Sequence, residues 1–537
     1  MKPANFLKTA LKDLRIPLLS VLLIGTVAML FLPVMPIDET RYLTVAWEMK
    51  NAHSWLVPLL NGLPYSHKPP LLFWMIQAVW KLLGVHDATP RLISIFTGFI
   101  SILLLYKISL RIWPEKRKTA AYAGLILGST GFWLIWSSTI MFDILLSMWI
   151  LIAVLGTLHL SESSRHGWLL LTLGLTGGLL TKGPIVFVYL LPLLLSGRYW
   201  QPDLPKKWHL MTAGACFAAI GLTLLWAVPA AISGGEEYRN AIFWEQSAGR
   251  VASSFAHRRP FWWYIPIVPL VFFPWSLFMF SLPKLRTKMS GNNLRFVKVW
   301  LIAPVVILSL ISGKQIHYLI PVLPAGALLI SNLITRTEQL KNHGIRLIGA
   351  LYFLGGLTSF SLPFIRLGED VGDLTPGSTI PVATGFIIVG IFLISARFKS
   401  VDGCIKSIAL STVFALLFVL CGTRNTIMGK YDVKRISNFI KTQQDQGRTV
   451  GHFGKYHGQY QFLGRLNTPL PILIGEQALD DFIIENPNAI LISYRHSETS
   501  IPDSIELLSQ PYRGKNVVAW SPAIRPEGKE SDENPVN

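Results

Sequence analysis

Apolar runs long enough to cross a bilayer recur along most of this chain, and they limit its fold more than any other feature. A membrane-spanning helix needs ~20 mostly apolar residues. Windows of that kind fall at 16–35, 90–112, 119–137, 141–160, 167–181, 184–197, 209–232, 261–283, 297–312, 318–335, 346–365, 380–397 and 405–422. They predict about thirteen spans. The fifth and sixth are separated only by Thr181, Lys182, Gly183 and Pro184, where Gly-Pro breaks a helix. With 51% hydrophobic and 15% charged residues and a mean hydropathy of +0.44, the chain reads as a polytopic α-helical membrane protein, and an ordinary water-soluble globule is excluded.

The formal charge of +19 does not point to nucleic acid, because the cations fall in short loops between apolar runs, where they orient a membrane protein. Lys8, Lys12 and Arg15 precede the first span. Arg111, Lys116, Arg117 and Lys118 follow the second, Lys206 and Lys207 the sixth, and Lys284, Arg286, Lys288, Arg295 and Lys298 the eighth. Arg397, Lys399 and Lys406 lie between the last two. All share one parity, so the positive-inside rule assigns them to the cytoplasm and the remaining loops to the outer face. The N-terminal layout is signal-like, but no small-residue cleavage pattern follows, so an uncleaved first span is expected. Cys216, Cys404 and Cys421 are unclustered, which indicates neither a disulfide framework nor a thiolate metal site.

The expected organisation is a transmembrane domain over 1–423, with outer loops at 36–89 and 233–260, followed by a small outer α/β domain over 424–537. In the first loop, Asp38 stands at a natural N-cap position before Leu43, Ala46 and Trp47, spaced for one apolar face. This predicts a short helix on the membrane surface. Asn61-Gly62 reads as a turn, and 71–83 as a second interfacial helix. In the last domain, 449–453 and 489–494 read as strands, 432–443 as a helix, and the charged tail from Arg525 as disordered.

The outer loops hold the chemistry. Asp38 and Glu39 have a plain structural reading as a helix start, but Asp143 interrupts apolar sequence near the outer end of a span, where a carboxylate marks a site or pathway. Asp38, Asp143, His67 and His257 form an oxygen and nitrogen set compatible with a divalent cation, zinc or magnesium or manganese. The aromatics after His257 read first as an interfacial belt, and Arg258 and Arg259 as headgroup contacts. Lys68, Lys182, and Lys314 with Tyr318 place cations on the outer face against the positive-inside bias, which suggests an anionic ligand such as a phosphate. Carboxylates beside cations at a membrane surface suit transfer from a lipid phosphate: cations stabilise the departing charge and a carboxylate can deprotonate a hydroxyl. Neither a phosphate loop nor a GxGxxG follows a strand, which disfavours a soluble nucleotide-sugar donor.

Asp38-Glu39-Thr40-Arg41-Tyr42, Asn61-Gly62 through Tyr65, Lys68-Pro69-Pro70, Asp143, Thr181-Lys182-Gly183, Phe243-Trp244-Glu245, His257 through Tyr264, and Lys314 with Tyr318 occur in this order. In this the chain resembles the bacterial lipid-dependent glycosyltransferases of the aminoarabinose transferase and protein O-mannosyltransferase superfamily. The resemblance implies the GT-C fold and an inner-membrane enzyme that takes a sugar from undecaprenyl phosphate and passes it, with inversion, to a periplasmic acceptor. In the aminoarabinose branch that acceptor is lipid A phosphate. Carried over by position, Asp38 would be the catalytic carboxylate or a metal neighbour, with Glu39 and Asp143 as further catalytic carboxylates. Asp143 and His257 would line the same site, and Arg41, Lys68, Lys182, Lys314 and Tyr318 would serve the carrier phosphate. His67 departs from the aminoarabinose enzymes, which have Glu before the Lys-Pro pair; the departure bears on metal coordination and on the sugar.

The leading reading is transfer of 4-amino-4-deoxy-L-arabinose to lipid A. A protein O-mannosyltransferase-like enzyme, or transfer of a hexuronic acid or hexosamine, stays open within the class. A lipid or solute transporter is the reading from another class, although transporters concentrate polar residues near the bilayer midplane and here they gather at one face. A purely structural or binding role for the outer domain is the third.

Overall fold

A computed structural model describes residues 3–244, 258–282, 291–337, 340–364, 375–495 and 504–522. His257, Glu245, Lys284, Arg286, Lys288 and the tail from Arg525 lie outside the described residues. Among the described residues nine helices are long and apolar enough to cross a membrane, or up to eleven if each of two bent pairs is one span. The bent pairs are Asn5–Asp13 with Arg15–Phe31, at 69°, and Phe261–Val271 with Trp275–Ser281, at 81°. The protein is therefore a multi-pass membrane protein.

The count differs from thirteen for two reasons. The third expected span is split into Arg117–Ser129 and Gly131–Trp136, each short. The fifth and sixth form one helical run, Arg165–Leu195, interrupted by Gly183 at φ +73°. A Cβ on Gly178 would lie 2.4 Å from the Val186 side chain, whereas eight residues of unbroken helix would separate those backbones by ~12 Å. The chain folds back at this point and leaves Lys182 at the bend.

Small residues bring that bend to the site. Helices Phe142–Leu160 and Arg165–Lys182 are joined by a tight turn and pack at backbone distance. A Cβ on Gly156 would come within 2.3 Å of the Leu171 backbone nitrogen, and one on Gly167 within 2.3 Å of that of Leu160. This is the small-residue packing that lets membrane helices approach closely. Because the helices run antiparallel, Asp143 in the first turn of one and Lys182 in the last turn of the other share an end.

The first outer loop holds helices Asp38–Asn51 and Leu71–Leu83 as expected. Asp38 is not the N-cap: Ile37 precedes the helix, and no side-chain cap bond is made. Asn61 (φ 55°) and Gly62 (φ 79°) turn a hairpin between Leu59–Leu60 and Leu63–Pro64, the left-handed pair that an Asn-Gly hairpin favours.

The last long helix, Val401–Tyr431, continues past the expected boundary at 424. The C-terminal domain after it is a five-stranded mixed sheet. Val450–Phe453 lies parallel to Ile472–Leu473 on one side and to Ile490–Arg495 on the other. Lys515–Pro522 and then Ser504–Tyr512 add antiparallel strands, and helices Lys434–Asp445 and Glu476–Glu485 complete the domain. The two expected strands and the expected helix are present, each shifted by one or two residues.

This domain is bonded to the first loop. The Thr44 hydroxyl donates to the Gly458 carbonyl at 2.6 Å, and the Trp47 indole to that of Leu466 at 3.1 Å. The Asn61 amide donates to the Leu470 carbonyl at 2.8 Å and accepts from Gln461 at 2.6 Å and from the Leu470 N–H at 2.9 Å. Asp87 holds Lys434 at 2.9 Å and Arg465 at 2.7 Å. Burial raises the Asp87 pKa, but those two cations outweigh it and leave it below its ordinary value. A carboxylate with a lowered folded-state pKa contributes stability that is full above its unfolded value, near 3.9, and is lost as pH falls through the lower folded value. Acidification below about pH 4 should therefore loosen the outer domain. Hydrogen exchange over residues 430–470 should rise in that window, and Asp87→Asn should remove part of the step; an identical step in the variant refutes the assignment to Asp87.

Candidate functional site

The first turn of Asp38–Asn51 carries two carboxylates with different fates. Asp38, half exposed, accepts a charged hydrogen bond from Arg41 one turn on and a bond from the Tyr42 hydroxyl at 3.2 Å. Burial, and then the charge of Asp38, push the Tyr42 phenol well above its ordinary pKa, so it remains a neutral donor to that carboxylate. The buried Arg41 Nε has no hydrogen-bond partner among the described residues.

Glu39 is buried, at 2% exposure, and both its oxygens are used. Arg91 donates Nε at 3.1 Å and Nη2 at 2.6 Å, while the Ile140 and Met35 N–H groups donate at 2.7 and 2.8 Å. Arg91 also caps the carbonyls of Ala28, Leu32 and Pro33. A carboxylate so engaged ties the first span to the loop before Asp143 and has no oxygen left for substrate. Glu39, expected among the catalytic carboxylates, is held in this structure as an anchor.

Asp143, 2% exposed, is paired with Lys182 at 2.6 Å. The Lys182 ammonium lies 4.8 Å from the centre of the Tyr318 ring, so helix 142–160, the bend at 182 and the loop before 318 meet there. Lys68 approaches from the first loop, its ammonium 5.8 Å from the centre of the Phe142 ring, and Phe142 packs edge-on to Tyr42 at 4.8 Å. The Tyr42 hydroxyl in turn bonds Asp38, and Phe142 precedes Asp143 on its helix. Asp38, Arg41, Lys68, Asp143, Lys182 and Tyr318 therefore form one cluster.

Lys314 is occupied locally: its ammonium donates to the carbonyls of Arg259 at 3.1 Å and Ile311 at 2.5 Å and straps two outer loops together. His67 is exposed, its ring 5.2 Å from that of Tyr65. His317 is not marked out by residue type, yet it stacks on Trp136 at 6.5 Å and meets Tyr318 edge-on at 4.9 Å, within the cluster. Its one sequence signal is its place beside Tyr318.

Among the described residues no group of three or more His, Cys, Asp or Glu side chains converges to hold a metal. Asp38 and Asp143 each face a cation already, which opposes a divalent ion. The described members of the expected set do not by themselves fit one.

An apolar groove of about 310 Å³ has Lys182 in its lining. Ser66 and Pro69 line it from the first loop, Phe187 from beyond the bend, and Leu224 and Trp226 from helix Trp208–Ser233. Lys182 thus belongs both to the polar cluster and to a groove of lipid-like chemistry.

This architecture, membrane helices carrying an acidic and basic outer loop under a small mixed-sheet domain, is the GT-C fold. ArnT from Cupriavidus metallidurans superposes with a TM-score of 0.72 in the apo state and 0.69 bound to undecaprenyl phosphate, at 17% identity, covering 93% of this chain and 96% of that one. The family model for dolichyl-phosphate-mannose-protein mannosyltransferase matches residues 67–226. The undecaprenyl phosphate-alpha-4-amino-4-deoxy-L-arabinose arabinosyl transferase of Pseudomonas aeruginosa is 30% identical over 360 residues, which is 63% of this chain and 63% of that protein. A second such transferase, from Pseudomonas fluorescens, is 30% identical over 359 residues, 62% of this chain and 58% of that protein. The match spans under two thirds of the length of these relatives. The chain has the GT-C fold and is similar to the aminoarabinose transferases over part of its length.

Proposed function

We propose that this protein is an inverting glycosyltransferase of the bacterial inner membrane that takes a sugar from undecaprenyl phosphate and passes it to an acceptor on the periplasmic side. The observation that carries the reading is the cluster itself: three cations, Arg41, Lys68 and Lys182, beside two carboxylates, with Lys182 also lining an apolar groove. The groove suits a polyprenyl chain. The cations, with an Arg41 Nε unpartnered among the described residues, suit the phosphate at its end, whose charge grows as the sugar leaves.

In the reaction an acceptor oxygen attacks the anomeric carbon as its bond to the carrier phosphate breaks, and the bonding electrons stay on that phosphate. Lys182 and Lys68 would stabilise it, and Asp143 would hold Lys182 in place. An ionised acceptor phosphate needs no general base, so Asp38 would orient Arg41 and the sugar; a hydroxyl acceptor would give its proton to Asp38. The relatives' names favour 4-amino-4-deoxy-L-arabinose as the sugar, and lipid A is the acceptor this implies. The positive-inside arrangement of the loop cations supports a periplasmic site.

The test compares, by mass spectrometry, lipid A and periplasmic glycans from cells making the intact chain and Asp38→Asn at equal membrane abundance. The expected result is loss of the aminopentose mass from lipid A in the variant. A sugar lost from a protein or another glycan moves the acceptor; no difference anywhere overturns the reading.

A further inference from the structure

A second cavity lies at the far end of the helix that begins with Asp38. It has a volume of about 550 Å³ and is walled by the last turn of Asp38–Asn51, the hairpin at Asn61-Gly62 and the 466–469 segment of the outer domain. Its lining is different from that of the lipid-like groove: Glu48, Lys50, Asn51, His53, Gln461, Asn467 and Thr468 are its polar members.

The Glu48 carboxylate is fixed by two backbone donors, the N–H groups of Asn61 at 2.8 Å and Gly62 at 2.9 Å. Each oxygen retains acceptor capacity, since a carboxylate has about four lone-pair sites. Asn51 and Asn467 reach across the cleft and meet at 3.3 Å, where both are exposed. The walls are held rigidly, because Asn61 makes three side-chain bonds to the outer domain directly behind them. Neutral amides and a hydroxyl around one carboxylate and one ammonium are poorly suited to an acyl chain, and a free anion would meet Glu48. They do match a ligand rich in hydroxyl groups, which both donates and accepts.

Glu48 lies ten residues beyond Asp38, ~15 Å along the helix. A ligand bound here could be joined to one reacting at Asp38 through two sugar rings. We infer that the cleft between residues 48–62 and 461–469 is a saccharide subsite that receives the sugar portion of the membrane-anchored acceptor. The inference rests on the glycosyltransferase reading and extends it to acceptor recognition by the outer domain.

The test uses the full chain in detergent with a soluble glucosamine disaccharide as probe, followed by saturation-transfer NMR. Asn467→Trp fills an exposed edge of the cleft and should abolish saturation transfer. Asn51→Ala, which removes one amide, should weaken it by about fivefold. In transfer assays with lipid A, both variants should raise KM, by about fivefold or more, while kcat changes far less. Equal saturation transfer by the intact chain and Asn467→Trp, no signal from the intact chain, or a fall in kcat with KM unchanged overturns the subsite. If the intact chain transfers no sugar to lipid A, the proposed function fails, and the disaccharide measurement alone decides the subsite.

Discussion

Arg91→Leu should remove most of the folded protein from the membrane. Arg91 is 1% exposed and binds both oxygens of Glu39 as well as three carbonyls at the end of the first span. Removing one member of a buried ion pair leaves the other charged and uncompensated, at a cost of about 3–5 kcal/mol. That is a large fraction of the stability of an ordinary domain. Glu39→Gln should be damaging for the mirrored reason: it leaves the guanidinium buried without an anion and turns an amide NH2 toward N–H groups that need an acceptor. The double variant Arg91→Met/Glu39→Gln should be less destabilised than the sum of the two single changes, because no charge is stranded. Thermal unfolding in detergent reads this directly. Glu39→Gln with unchanged unfolding and no transfer activity would return Glu39 to catalysis.

That pair also shows what a sequence can disclose of a site like this one. Asp38 and Glu39 are adjacent acids at the start of one helix, and nothing in their order distinguishes them. The difference comes from Arg91, 52 residues away, which reaches Glu39 only because the helix it starts packs against the first span. Lys314 is open to misreading for the same reason: as an outer-face cation it resembles Lys182, but two loop carbonyls lie within its reach and occupy it. Local features are better signals. The Asn-Gly hairpin, the break at Gly183 and the apolar runs each follow from residues within one turn or one span of each other. Strands 504–512 and 515–522 escape the sequence because a sheet that lies against other elements need not show simple alternation. His317 is hidden by its type, since a single histidine near an apolar face is most often packing.

Lys182→Met should reduce transfer by about 10²–10³-fold in kcat, the loss typical when one group that stabilises a developing negative charge is removed. Two explanations of such a loss must be separated. Lys182 holds Asp143 at 2.6 Å and lies over the Tyr318 ring, so its removal could act only by stranding a buried carboxylate. In that case Asp143→Asn/Lys182→Met, in which no charge is stranded, should recover much of the activity. If instead the ammonium meets the leaving phosphate, the double variant stays as inactive as Lys182→Met, although its thermal unfolding returns toward that of the intact chain. Asp143→Asn alone should then be the milder change, because it frees the ammonium for the phosphate while loosening its position, and its loss should appear more in kcat than in the affinity for undecaprenyl phosphate. We expect the second pattern, because Lys182 lines the groove and Asp143 does not. Recovery of activity together with stability in the double variant would sink the phosphate role and leave Arg41 and Lys68 as the cations to test.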